Sequence, residues 1–319
     1  MQTILVTGGF GFIGSHLVNR LLNKYNVVIV DNFKTNDLVK CYNVKSIVER
    51  EYLGKLTIYN YDIENDFALS EVFRNHQFKA VVHLAARAGV RTSFEYPKQY
   101  IDTNILGTSN VLECMRRYNC NKIVFASSSS VYGNCKAQTF SEDIKILEPI
   151  SIYASTKLIG EELCRSYSKN FGINAIALRF FTVYGPRQRP DLAISKFSKL
   201  ILDDKPIEMY GDGTTSRDYT YIDDIINGIE KAIDYNATKF EVINLGNGNP
   251  VKLQDMINLL GEYLGKKPII IQKPIPVGDV DRTCCNLTKA KLLLNYFPQT
   301  SFKDGVKIFT DWLKRGGMV

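Results

Sequence analysis

Apolar positions along the chain fall into short runs that alternate with stretches of helical period. Thr3-Ile-Leu-Val-Thr7 is an apolar run of strand length, and Leu17, Val18, Leu21 and Leu22 then recur at the spacing of one helix face. The alternation repeats downstream. Val27–Val30, Leu56–Tyr61, Ala80–Leu84 and Ile123–Phe125 read as strands, and residues 66–76, 98–118 and 155–169 as helices. Strands separated by helical stretches predict βαβ units and a doubly wound parallel sheet. Residues 35–54 are polar and irregular, and are expected to form a helix and loop bordering the cleft of that sheet. After Gly185-Pro186 the pattern changes, with helices over 191–203, 222–235, 253–264 and 302–315, strands at Ile207–Tyr210 and Val242–Leu245, and a stretch punctuated by Pro268, Pro274 and Pro276. The expected fold is α/β, with a Rossmann domain over 1–180 rejoined at about 218–245. A smaller, discontinuous α/β lobe is expected over about 181–217 and 246–319.

The first strand runs directly into Gly8-Gly-Phe-Gly11-Phe12-Ile13-Gly14 and then a helix. Such a turn frees backbone N–H groups and aims a helix N-terminus at an anion. The Gly-x-x-Gly-x-x-Gly spacing is a variant of the dinucleotide fingerprint, so the expected anion is a pyrophosphate. The second strand ends in Asp31-Asn32. An acidic residue there bonds a ribose 2′-hydroxyl and repels a 2′-phosphate, which favours NAD over NADP, with Lys34 nearby as the opposing feature.

A second stretch carries chemistry. If Ser151 opens a helix, Tyr153 and Lys157 stand at i and i+4 on one face. Bringing a phenol of pKa about 10 to work near neutrality takes a shift of roughly 3 units, about 4 kcal/mol. A lysine charge about 6 Å away, at an effective dielectric of about 20, supplies roughly 2.8 kcal/mol. Burial of the phenolate works in the opposite direction, so a second cation is needed, and a nicotinamide ring would be one. The serine run Ser127-Ser128-Ser129-Ser130 follows a buried strand and is expected to offer hydroxyls to a substrate at the same sheet edge. Arg87 follows the fourth strand, at the carboxyl edge where open α/β sheets bind ligands.

Composition excludes several classes. No apolar run approaches the ~20 residues needed to cross a membrane. The chain begins directly in a strand, without a leader pattern. The seven cysteines lack framework or zinc spacing, so reduced thiols in the cytoplasm are expected. The net charge of +7 suits an anionic ligand, but Lys and Arg are scattered and form no nucleic-acid stripe. His83 lies in an apolar strand as a core residue, and His16 and His76 have no metal-ligating company, so no metal is expected.

The dispersed motifs together resemble the extended short-chain dehydrogenase/reductase family, and within it the nucleotide-sugar 4-epimerases. They are Gly8–Gly14, Asp31, Asp62-Ile63, His83-Leu84-Ala85-Ala86, Asn104, Ser127-Ser128, Tyr153-x-x-x-Lys157, Leu178–Pro186, Arg217–Asp224 and Gly278–Arg282, in the family's order along the whole chain. The resemblance implies a tightly held NAD contacted also by Asp62, Ile63, Leu84, Ala85, Ala86, Tyr153 and Lys157. It implies Tyr153 as base, Lys157 as its electrostatic partner, and Ser128 as the hydroxyl between Tyr153 and the sugar. Arg217 and Arg282 would hold a diphosphate, with Asn104, Ser127, Ser129, Thr182, Arg189 and Tyr210 around the sugar of a UDP-sugar. The implied chemistry oxidises C4, turns the flat 4-keto sugar, and reduces its other face.

Dehydratases and decarboxylases of the family carry carboxylates where this chain has Ser129 and Ser130, which favours epimerisation. The run Arg179–Asp191 resembles UDP-glucuronate 4-epimerases, though Arg187-Gln188 stands where plant-type members have Trp-Gly. UDP-glucose and UDP-N-acetylglucosamine 4-epimerases are the alternative. A non-catalytic relative would be expected to break the Tyr-x-x-x-Lys motif, which is intact, and a dehydrogenase that releases its reduced cofactor also stays open. Relatives dimerise through the helices expected at 98–118 and 155–169, whose apolar residues include Ile101, Ile105, Val111, Leu112, Met115, Leu158, Ile159 and Leu163. A homodimer is therefore expected.

Overall fold

The computed structural model describes residues 1–34, 54–274 and 280–317. The helix and loop expected over 35–54 fall almost entirely outside the described residues. Seven strands form one parallel sheet: β1 (Thr3–Thr7), β2 (Asn26–Val30), β3 (Leu56–Tyr59), β4 (Phe78–His83), β5 (Lys122–Ser128), β6 (Asn174–Phe180) and, much later in the chain, β10 (Phe240–Leu245), in the order β10-β6-β5-β4-β1-β2-β3. Between them the chain forms β7 (Thr182–Tyr184), β8 (Ile207–Tyr210) and β9 (Ser216–Tyr221), and after them β11 (Pro250–Lys252) and β12 (Ile270–Lys273). These make two small sheets, β11-β9-β7 and β12-β8. The architecture is a Rossmann-like α/β fold.

The unbroken apolar runs have a simple cause. Side chains alternate across a strand. Ile4 and Val6 of β1 enter one core with Leu17, Val18 and Leu21 of the following helix, while Leu5 enters the opposite core with Val28, Leu69 and Val72. Both faces are covered, so the strand interior is apolar throughout and the buried Thr7 at its end is hydrogen-bonded. β1 lies between β2 and β4, which is where the winding reverses, and the loops after β1 and β4 separate to leave a crevice.

Several boundaries differ from the periodicity. The helix expected at 98–118 is three pieces: Pro97–Ile101, a π-helical turn at Asp102–Leu106, and Gly107–Arg117. A further helix, Val90–Glu95, occupies what reads as loop. β5 continues three residues past its apolar run, through Ser128, because parallel pairing with β6 extends to Ser128 opposite Phe180. Val111, Leu112 and Met115 are fully buried in the core with Leu69, Val72 and Phe73, so they belong to sheet packing, whereas Ile101, Leu106 and Ile159 remain 47%, 49% and 42% exposed. Among the described residues no helix is long and apolar enough to cross a membrane, and no cluster of three or more His, Cys, Asp or Glu side chains could hold a metal.

His83 is a core histidine that joins three elements. Its Nδ1 lies 2.7 Å from the Thr7 hydroxyl of β1 and its Nε2 3.0 Å from the Thr108 hydroxyl of helix Gly107–Arg117. Thr108 donates its own proton to the Asn104 carbonyl, so Nε2–H donates to Thr108 and Nδ1 accepts from Thr7. Burial, aided by the Lys157 charge, lowers the His83 pKa from 6.5 to about 3. The unfolded chain therefore binds a proton below pH 6.5 that the folded chain refuses. Stability present above that pH is lost as pH falls from 6.5 toward 3, by up to about 1.4 kcal/mol per unit from this residue. Urea midpoints measured at pH 7, 6 and 5 should fall steeply for the native chain and less steeply for His83→Gln.

Candidate active site

The glycine turn is built around close backbone approach. Gly8 adopts φ +71°, and a Cβ there would lie 2.8 Å from the Ala85 nitrogen at the end of β4. A Cβ on Gly14 would lie 2.2 Å from the Gly8 carbonyl oxygen. Helix Phe12–Leu21 begins at Gly11 with no side-chain cap, so its first N–H groups face outward. Asp31, 4% exposed at the end of β2, accepts N–H bonds from Phe10 (3.1 Å) and Phe33 (3.0 Å). A cleft of about 100 Å³ is lined by Gly8, Gly11, Asp31, Asn32, Ile63, Leu84, Ala85 and Ala86, together with Lys34 and Arg87. Phe12 and Ile13 form the first turn of the helix below it. Asp62 stands beside the cleft, accepting from Asn32 (3.0 Å) and Lys34 (2.9 Å). The Lys34 ammonium, which on sequence grounds argued for a phosphorylated ribose, thus has a carboxylate partner. An uncapped helix end, a backbone cradle too tight for side chains and a buried carboxylate fit a dinucleotide diphosphate and its ribose.

Across the crevice, Ser151 caps the helix Ile152–Phe171 by accepting the Ala154 N–H at 3.1 Å. The cap starts the helix where the pattern requires, with Tyr153 and Lys157 one turn apart. Lys157 is buried, with Nζ donating to the Ala126 carbonyl at 2.8 Å and lying 5.2 Å from the centre of the Phe125 ring. Burial lowers its pKa to about 8, against the opposing charge of Glu161. The Tyr153 phenol is pushed up by burial and drawn down by a hydrogen bond with Ser128 and by the charge of Arg189. Arg189, expected on sequence grounds only around the sugar, adds a positive charge near the phenol, while the Lys157 stem reaches back to the β5 backbone. Arg189 is also paired with Asp191, Nε to Oδ1 2.9 Å. The Tyr100 ring packs edge-on to Tyr153 at 6.4 Å, its hydroxyl 3.0 Å from the Gly89 carbonyl and 2.5 Å from the Thr92 hydroxyl.

A cavity of about 400 Å³ opens beside this dyad, within the range of ligand pockets. Ser129, Thr182 and Arg217 line it as expected. The Ser128 hydroxyl donates to Ser130 Oγ at 3.1 Å, and Ser130 lines the cavity, so Ser128 stands between the Tyr153 phenol and that space. Tyr210 sits behind Arg91, whose guanidinium lies 4.8 Å from its ring centre. Arg282 is exposed, bridged to Ser216 beside Arg217.

Three expected substrate residues lie elsewhere. Ser127 donates to Glu161, since successive strand residues point to opposite faces and only Ser128 turns toward Tyr153. Asn104, 2% exposed, spends its amide on the Arg87 N–H (2.8 Å), the Arg87 carbonyl (3.0 Å) and Thr156 (2.9 Å). It holds the β4 loop to the Tyr153 helix instead of facing a ligand. Arg87 lines the smaller cleft beside the glycine turn, not the larger cavity.

Ser130 of the serine run lines the cavity as expected, and Arg91, Glu95 and Thr283 join it. The spacing Arg87-x-x-x-Arg91 was the available signal, because one helical turn past the β4 loop carries the second arginine across the crevice. Glu95 contributes a carboxylate at the exposed rim. Asp218, fully buried, organises this wall by accepting from the backbone N–H groups of Asn247 (2.8 Å), Gly248 (2.8 Å) and Cys285 (2.9 Å). Its own N–H donates to the Thr283 hydroxyl at 3.0 Å, which sets Arg217 and Thr283 side by side.

Known proteins are similar to this chain over nearly all of its length. A UDP-glucuronate 4-epimerase of Thermodesulfobacterium geofontis is 40% identical, covering 98% of this chain and 97% of the relative. The crystal structure of UDP-glucuronic acid 4-epimerase from Bacillus cereus, in complex with UDP-glucuronic acid and NAD, superposes with a TM-score of 0.91 at 39% identity, covering 98% of this chain and 99% of that one. UDP-glucose 4-epimerase from Thermotoga maritima with UDP-glucose superposes at 0.89 with 32% identity, covering 99% of each chain. The family model of the NAD dependent epimerase/dehydratase family matches residues 4–246, and the chain belongs to that family.

Proposed function

We propose that this protein is an NAD-dependent UDP-sugar 4-epimerase, an isomerase that interconverts UDP-glucuronate and UDP-galacturonate. The observation that carries the reading is the Tyr153–Ser128 contact opening onto a cavity lined by Arg91, Arg217, Ser129 and Thr182, in a chain about 40% identical to UDP-glucuronate 4-epimerases over full length. Gly8, Gly11 and Gly14 would hold the diphosphate of NAD, Asp31 a ribose, and Asp62 and Ile63 its far end. When bound, NAD supplies the hydride acceptor and donor and a positive ring charge.

The protein's own groups do the rest. Tyr153 takes the C4 hydroxyl proton, directly or through Ser128, and returns one after the sugar has turned. Arg189 and the Ser128 bond supply part of the roughly 4 kcal/mol that a phenol needs to work near neutrality. Lys157, fixed on the Ala126 carbonyl, stays charged below its pKa of about 8. Arg91 and Arg217 match the charge of a sugar nucleotide. Residues 1–180 with about 218–245 would carry the cofactor, and about 181–217 with 246–319 the UDP-sugar.

The 4-keto form of a uronic acid is a β-keto acid, poised to lose carbon dioxide when its carboxylate bond aligns with the carbonyl π system. Ser128, Ser129 and Thr182, with Arg189, would hold that carboxylate out of alignment. The positions beside Val131-Tyr-Gly133 that carry acids in dehydratases and decarboxylases are Ser129 and Ser130, which supports epimerisation. Incubation with UDP-glucuronate, UDP-glucose and UDP-N-acetylglucosamine, each followed by NMR, should show C4 inversion of the uronic acid with little accumulation of reduced cofactor at 340 nm. Inversion of the neutral sugars alone would overturn the uronate assignment. Thr182→Ala should divert a measurable fraction of turnover into a UDP-pentose, and absence of any pentose would sink the carboxylate clamp.

The free thiols of the six described cysteines agree with a cytoplasmic protein. A homodimer built on helices 97–117 and 152–171 is supported by the exposed Ile101, Leu106 and Ile159. Light scattering should give twice the chain mass, and Ile101→Asp with Ile159→Asp should return it to the monomer value.

A further inference from the structure

Three consecutive residues at the end of β5 each hold a different turn of the Tyr153 helix. The Ala126 carbonyl accepts from Lys157 Nζ at 2.8 Å, the Ser127 hydroxyl donates to Glu161 Oε1 at 2.5 Å, and the Ser128 hydroxyl lies close enough to the Tyr153 phenol to draw its pKa down. The middle contact has the strongest support behind it. Arg179 grips the Glu161 carboxylate in two places, Nε to Oε1 at 2.9 Å and Nη2 to Oε2 at 2.7 Å, with side chains only 5% and 1% exposed. Ser127 and Arg179 are register partners on β5 and β6 and so share a sheet face. The Arg179 guanidinium lies 4.7 Å from the centre of the Tyr132 ring, and Tyr132 donates to Asn244 of β10 at 2.8 Å. Tyr132 closes the 3-10 turn Ser129–Tyr132, which carries the cavity serines. Neither Ser127, Glu161, Arg179 nor Tyr132 lines the cavity.

We propose that the Glu161–Arg179 pair, acting through Ser127, is the positioning device that sets the axial register of the Tyr153 helix on β5 and thereby holds the Ser128 hydroxyl against the phenol. Apolar packing between a helix and a sheet resists separation better than sliding. A slip of one residue moves a helix about 1.5 Å along its axis. Side-chain hydrogen bonds tolerate only about half an ångström around 2.9 Å, so such a slip breaks the Tyr153–Ser128 contact. A two-point ion pair is directional along the axis where apolar contacts are not. Its value lies in specificity, because a buried pair replaced by well-packed apolar groups is often no less stable. Ser127 transmits the register because its neighbours on either side are the two residues that touch Lys157 and Tyr153.

The catalytic consequence rests on the proposed epimerase reading, but the register can be read without turnover. In the full-length chain, amide hydrogen exchange of segments 126–132 and 153–160 should rise about ten-fold in Ser127→Ala relative to β1 and β2, and return to the native level in Ser127→Thr. Glu161→Gln should exceed Ser127→Ala in both segments. With UDP-glucuronate as substrate, Ser127→Ala should lower kcat about ten-fold while KM stays within about three-fold, the signature of a misplaced reacting group. Should Glu161→Gln fail to fold, Ser127→Ala, which removes one hydroxyl, still decides. Native protection of both segments in Ser127→Ala overturns the proposal whatever the activity, and so does lost protection with unchanged kcat. Lost protection in a chain whose native form converts no UDP-sugar upholds the register and counts against the epimerase reading instead.

Discussion

The geometry of the site depends on how closely the helix Ile152–Phe171 can lie on β5. Gly160 makes the approach possible, since a Cβ there would stand 2.3 Å from the Phe125 ring. With no side chain in the way, the helix settles on Phe125, Lys157 crosses the same ring to the Ala126 carbonyl, and Tyr153 meets Ser128. Overpacking at such a contact typically costs about 1–3 kcal/mol in stability. Here it would also shift the phenol, a consequence that no ledger of buried area would register.

Charge is distributed differently from what the spacing of Tyr153 and Lys157 suggests. The two share a helix face; the lysine is held on the strand backbone, and Arg189 adds a further positive charge near the phenol. Arginine suits that place, since a planar guanidinium can keep its two-point pairing with Asp191 while its field reaches the tyrosine. On the far wall, Arg91 lies against Tyr210 and Arg217 is anchored through the buried Asp218. These cations come from separate segments and meet at one cavity, which accounts better for an anionic sugar nucleotide than does the modest net charge of +7. The carboxylate of Glu95 stays at the exposed rim of that cavity, away from the serines of β5.

Much of this was legible in the chain because it is local. The strands β1, β2 and β4 announce themselves as apolar runs because both sheet faces are covered. The glycine turn is readable because a backbone that must pass within van der Waals contact of Ala85 admits no Cβ at Gly8. Ser151 is readable as a cap because its hydroxyl satisfies an N–H three residues on. Local signals stop where side-chain direction depends on where a strand ends. The apolar run placed the end of β5 at Phe125, and the extra residues through Ser128 decide which serine faces the phenol and which the core. Asn104 carries a polar side chain suited to a ligand, but the backbone of Arg87 and the hydroxyl of Thr156 take its hydrogen bonds.

By itself, then, the sequence determined the kind of sheet, the phosphate-binding turn, and the shared helix face of Tyr153 and Lys157, since each follows from spacings within one or two turns of backbone. The tertiary structure alone brought Arg189 near the phenol and Arg91 into the cavity, and set Glu161 and Arg179 face to face. Those outcomes depend on parallel register and on the depth at which a helix docks. Register and docking depth are set by the packing of residues far apart in the chain, and no local period encodes them.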